Sequence, residues 1–159
     1  SGFLVEASRI QTDGFKKIDL GDTSGFQKND VLVKGRSQIS ANMNQELSWK
    51  IGYADEDSDE TYLGLTLDDF YKNPYRRYAA SQVDEMIFGH RQYQLKYQLN
   101  PTENWGTWVT AYYHEFNRNW QRLNGFSGGS APSISDVLKD PTAPANQLYY
   151  QALTGQIDS

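Results

Sequence analysis

Arg76 and Arg77 stand side by side between Tyr75 and Tyr78, and no other cluster in this chain is so well suited to recognising an anion. A guanidinium meets a carboxylate through two parallel N–H donors, and flanking phenols add hydrogen-bonding groups and ring faces. Tyr75, Arg76, Arg77 and Tyr78 are therefore candidate ligand-binding residues. The same two arginines could instead neutralise the acidic run Asp55-Glu56-Asp57-Ser58-Asp59-Glu60, because loop charges commonly pair or stay solvated.

Other chemistry is poorly supported. Asp55, Asp57 and Asp59 imitate the first ligands of a calcium loop, but Glu60 stands where the turn needs Gly and Thr66 where the bidentate Glu belongs. A solvated acidic loop is the expectation there. His90 and His114 are the only imidazoles, and the one carboxylate beside them, Glu115, would point to the opposite face of a strand from His114. They read as structural or lumen-facing residues. The chain has no cysteine, and it lacks a nucleophile elbow or phosphate loop. A non-enzyme with no cofactor is expected, and a net charge of -5 argues against a nucleic-acid partner.

The elements that would carry these residues are strands. In Glu46-Leu47-Ser48-Trp49-Lys50-Ile51-Gly52-Tyr53, every odd position is large and apolar and every even one is polar or tiny. That is the period of a strand with one apolar and one wet face. Similar alternation is read over residues 30–39 and 86–99, with Tyr93, Leu95, Tyr97 and Leu99 opposing Gln92, Gln94, Lys96 and Gln98, and imperfectly over 2–11; a fifth strand is read over 105–117. Charged Glu6, Lys34, Arg36, Lys50, Arg91 and Lys96 are assigned to the polar faces. With only 38% apolar residues a large dry core is hard to build, and no apolar run approaches the ~18 residues of a membrane helix. Strands crossing a bilayer need show only half their side chains to lipid.

Loop lengths alternate as well. Ala41-Asn42-Met43-Asn44 and Asn100-Pro101-Thr102-Glu103-Asn104 are short turns, whereas residues 12–25, 55–85 and 118–159 are long connections. If successive strands reverse direction, every short turn falls at one end and every long loop at the other, as in outer-membrane barrels. Thr66 is expected to cap a short helix near residues 67–72 that Pro74 stops; a helical turn is expected over 133–139 and a short helix over 144–153, with Gly155 just past its end. Trp105, Trp108, Tyr112 and Tyr113 suggest the aromatic girdles of such barrels.

Residues 53–66, Tyr-Ala-Asp-Glu-Asp-Ser-Asp-Glu-Thr-Tyr-Leu-Gly-Leu-Thr, with Asn73-Pro74-Tyr75-Arg76-Arg77-Tyr78-Ala79-Ala80-Ser81-Gln82, resemble the barrel domain of TonB-dependent outer-membrane receptors, in the branch similar to ferric-citrate receptors. Gln92-Tyr93-Gln94-Leu95-Lys96-Tyr97 and Phe116-Asn117-Arg118-Asn119-Trp120 extend the resemblance over most of the chain. It implies an all-β fold: an antiparallel up-and-down meander of about five strands from a 22-stranded transmembrane barrel, residues 1–159 forming one segment of it. It also implies a Gram-negative outer-membrane location with long loops outside, and energy-dependent uptake of an iron chelate or similar nutrient. The implied partners are that nutrient, outer-membrane lipid, the plug and remaining barrel strands, and TonB acting through the plug. Two other readings stay open: a soluble β-sandwich that stacks sugars on its aromatic residues, and a self-associating barrel fragment.

Overall fold

A computed structural model describes residues 1–21, 23–40 and 42–157. The elements in chain order are β1 (Gly2–Thr12), β2 (Lys17–Ile18), β3 (Phe26–Ser40), β4 (Gln45–Asp59), α1 (Leu67–Lys72), β5 (Arg76–Arg77), a 3-10 turn (Ala79–Val83), β6 (Glu85–Thr102), β7 (Trp105–Gln121), α2 (Ile134–Lys139) and α3 (Gln147–Leu153). The five long strands form one sheet in the order β1-β3-β4-β6-β7, a mostly antiparallel meander in which each strand lies beside its neighbour in the chain. The five strands occur where the alternation placed them, but every one is longer than its periodicity indicated.

The clearest correction concerns the acidic run. Residues 55–59 continue β4 instead of entering a loop. Their charges are answered across the sheet: Asn29 donates to Asp55 at 2.7 Å, Lys28 lies 3.5 Å from Glu56, and the Asp59 N–H bonds the Gly25 carbonyl at 2.8 Å. A strand tolerates consecutive carboxylates because alternate side chains leave on opposite faces.

Two compact units emerge. The first comprises Ser1–Ile10, Gln27–Glu56 and Ile87–Arg118, the main body of the strands. Its cross-strand contacts join residues of like parity. Arg9 donates to Gln27 at 2.5 Å, Asn29 meets Asp55, Arg91 lies 3.7 Å from Glu115, and the Tyr93 and Tyr113 rings are 6.3 Å apart. The other face carries the even-numbered pairs Lys28–Glu56, Phe88–Phe116 and His90–His114, the last with ring centroids 5.6 Å apart. The sheet therefore has an odd face and an even face throughout. Two close approaches hold it together: a Cβ on Gly35 would lie 2.7 Å from the Trp49 ring, and one on Gly52 would lie 2.5 Å from the Gln92 side chain.

The turn between β3 and β4 ends at Asn44, whose φ of 43° is the left-handed conformation that Asn accepts more readily than most residues. Ala41, the first residue of that expected turn, lies outside the described residues. Glu103 and Asn104 alone separate β6 from β7.

The second unit, Gln11–Phe26, Asp57–Met86 and Asn119–Ser159, is built from the long connections. Leu63, Tyr78, Val137 and Leu153 form its buried core. The Thr66 hydroxyl accepts from the Asp69 N–H at 3.2 Å and so starts α1; the Ser133 hydroxyl does the same for α2 at 3.1 Å from Asp136 N. Past the end of α3, Gly155 takes a φ of 72°, as expected of a residue closing a helix. A two-stranded parallel ribbon pairs Lys17 with Arg76 and Ile18 with Arg77.

Candidate functional site

Two places in the molecule could meet another molecule: the odd face of the sheet and the arginine region of the second unit.

On the odd face, Trp49 is 37% exposed, Ile51 47% and Leu95 48%, although β4 is the central strand. Among the described residues, every buried apolar side chain belongs to the second unit, so no second layer covers this face within the first. The apolar stretch has defined limits. Over residues 31–39, 45–53, 93–101 and 105–113, about nine each, no odd-numbered residue is charged. Asp55, Arg91 and Glu115 mark where charge begins on β4, β6 and β7, and Tyr53, Tyr93 and Tyr113 immediately precede them on the apolar side.

This geometry amends two expectations. Arg91 is not on the polar face: it stands on the odd face at the limit of the apolar band, paired with Glu115. Of the four aromatic residues expected to form girdles, Trp105 and Tyr113 share the odd face, while Trp108 and Tyr112 have even parity. Tyr112 packs edge-on against His114 at 5.6 Å. His114 and Glu115 do point to opposite faces, each with its own cross-strand partner.

In the second unit, the arginine pair is divided by the alternation of β5. Arg76 donates to both carboxylate oxygens of Asp19, Nε to Oδ1 at 3.0 Å and Nη2 to Oδ2 at 2.9 Å, and its Nη1 lies 3.2 Å from Asp69 Oδ1. The Asp19 bonds raise its pKa above the usual guanidinium value, against the effect of burial. Its partners are thus Asp19 and Asp69, not the acidic run of β4. Asp69 is itself buried and receives the hydroxyls of Tyr78 at 2.7 Å and Tyr150 at 2.6 Å. Burial pushes its carboxyl upward, but the bonds from Tyr150, Tyr78 and Arg76 outweigh that and hold it below its ordinary value.

No family model, no curated protein and no solved structure matches this chain.

The four candidate ligand residues therefore have distinct surroundings. Tyr78 is fully buried, its ring 5.7 Å from that of Tyr150 and its oxygen accepting from the Thr66 N–H at 2.9 Å. Arg76 is committed to two carboxylates. Tyr75 is 57% exposed and packs edge-on against Phe15 at 5.9 Å. Arg77 turns away from Arg76, and its Nη1 donates to the carbonyls of Pro74, at 2.9 Å, and Arg76. Burial alone lowers its pKa, with no carboxylate acting against it. Sequence reasoning missed Asp19, Asp69 and Tyr150 as partners, since Asp69 and Tyr150 are 81 positions apart. No group of three or more potential metal ligands occurs among the described residues.

Proposed function

We propose that this chain is part of the wall of a TonB-dependent outer-membrane receptor, in which the odd face contacts lipid and the loop unit contributes to capturing an anionic nutrient such as an iron chelate. One observation carries the reading. Within the four apolar stretches every charged strand residue, Lys34, Arg36, Glu46, Lys50 and Lys96, has even parity. A charge on the lipid face of a barrel costs ~2–4 kcal/mol at mid-bilayer, whereas a face merely wetted by water imposes no such exclusion. The stretch length of about nine residues also suits a strand tilted through hydrocarbon, which needs ~9–11. Tyrosines beside the charged row fit the level of lipid headgroups.

In this reading about five strands of a 22-stranded barrel are present, and transport depends on the plug, the remaining strands and TonB. The even face, with Lys34, Lys50, Gln92 and Lys96, would border the aqueous interior. A carbohydrate-binding sandwich would need a second sheet over Trp49, Ile51 and Leu95, and the described residues supply none.

Single-tryptophan variants reconstituted in vesicles with brominated acyl chains test the proposal. Trp49 should be quenched strongly, Trp108 weakly and Trp120 least. Equal quenching at all three, or none at Trp49, would reject a lipid-facing odd surface.

A further inference from the structure

A groove of about 740 Å³ in the second unit is lined by α1 and α2, with Leu67 and Phe70 from the first and Ile134 and Leu138 from the second. Among the described residues, Arg77 and Lys139 are the only charged ones that line it, although the whole chain carries more acid than base. The volume falls in the range of small-molecule sites, ~300–1,000 Å³. Leu67 and Phe70, three residues apart on α1, are both exposed.

Electrostatics select the occupant. The β2–β5 register sets Arg77 opposite Ile18, so Arg77 leaves the ribbon on the face away from Asp19, which is held by Arg76. Its described bonds are to carbonyl oxygens only. Burial lowers the pKa of Lys16 first, and the charge of Arg77 lowers it further, against the pull of Glu60. A partly desolvated cation without a carboxylate partner is a position that an incoming anion stabilises.

We infer that this groove binds a small organic carboxylate with an apolar aliphatic or aromatic body, its head group at Arg77 and Lys139 and its body over Leu67 and Phe70. This deepens the anion-capture part of the proposed function and rests on it for biological meaning, but the binding itself requires only the second unit's groove. The nutrient so selected is amphiphilic, which a patch made of Tyr75 and arginines alone would not require.

The test is calorimetric titration of the full chain, held in zwitterionic detergent, with 4-phenylbutyrate, its neutral amide, and acetate. Saturable binding of the carboxylate is expected, weaker by about tenfold for Arg77→Gln and for Lys139→Gln, and unchanged for Lys72→Gln, which removes a charge outside the groove. The amide and acetate should each bind at least about tenfold more weakly than the intact amphiphile. Equal affinity for carboxylate and amide, equal affinity for acetate, or no saturable binding at millimolar concentration overturns the inference. So does an affinity indifferent to Lys139→Gln, a variant at an exposed position that leaves the core intact. Since lipid quenching of Trp49 is read separately, carboxylate binding without quenching would reject the receptor and keep the groove, and the reverse would do the opposite.

Discussion

The Tyr150 hydroxyl donates to Asp69 Oδ2 at 2.6 Å, joining α3 to α1 across 81 positions of sequence. Tyr78 and Arg76 reach the same carboxylate, so one acid organises three parts of the second unit. Tyr150→Phe should cost about 1–2 kcal/mol, because Asp69 keeps its other partners. Asp69→Leu should cost more, about 3 kcal/mol or above, since the Tyr78 and Tyr150 hydroxyls lose a shared charged acceptor and Arg76 keeps only Asp19. Hydrogen exchange over residues 147–153 would report both; protection unchanged in Asp69→Leu would show that the cluster does not hold α3.

The same cluster sets a pH window. Asp69 is held below its ordinary value of 3.8, so its stabilisation is complete above that value and is lost as pH falls through the depressed folded value. Tyr78 and Tyr150 are shifted the other way, mainly by burial, with Asp69 adding to it, so their contribution is complete below pH 10.0 and declines as pH rises beyond it. Near-ultraviolet circular dichroism of the tyrosines should therefore be flat between these limits and fall outside them. In Tyr150→Phe the alkaline loss should diminish. A midpoint near neutrality would contradict this assignment.

Arg76 and Arg77 should separate in their consequences. Arg76→Gln removes the partner of Asp19 and one partner of buried Asp69, and a loss of about 1–3 kcal/mol is expected in chemical denaturation. Arg77→Gln gives up bonds to two carbonyls and should cost about 1 kcal/mol or less. Equal losses would mean that Arg77 is also a structural cation.

Lysine substitutions can distinguish oil from water on the sheet. Ile51→Lys places a charge in the middle of the odd face and should reduce folding into vesicles by ~2–4 kcal/mol, while Gln94→Lys on the even face should be near neutral. The two variants are compared by refolding titrations in the same lipid. Indistinguishable titrations would leave the odd face without a lipid role.

Gly155 supports a further stability test. Its φ of 72° disfavours any side chain, and a Cβ there would lie 2.8 Å from that of Ala79. Gly155→Ala should destabilise the second unit by about 1–3 kcal/mol, from left-handed strain plus the contact. Thermal melting that matches the parent chain would remove that glycine from the packing scheme.

Strand identity was readable because parity is local: Trp49, Ile51 and Tyr53 declare a face within five residues. The caps at Thr66 and Ser133 and the glycine after α3 were readable for the same reason. Strand ends were not, because residues 55–59 look like a solvated loop until Lys28 and Asn29 are seen across from them. Arg91 was assigned to the polar face by its charge, although its odd position in β6 already sets it beside Tyr93 and Leu95; only its pairing with Glu115 depends on register, which alternation within one strand does not specify. Asp69 gave only its place in the first turn of a helix; its ties to Asp19, through Arg76, and to Tyr150 come from long connections that pack on one another.

The aligned row of Tyr53, Tyr93 and Tyr113 beneath Asp55, Arg91 and Glu115 has a mechanical implication. If a hydrocarbon slab borders that row, sliding the ribbon two residues deeper would drag three ionic groups under oil at one stroke, on three adjoining strands. The row then behaves as a waterline stop: vertical travel against an applied pull is resisted by three strands together rather than by one.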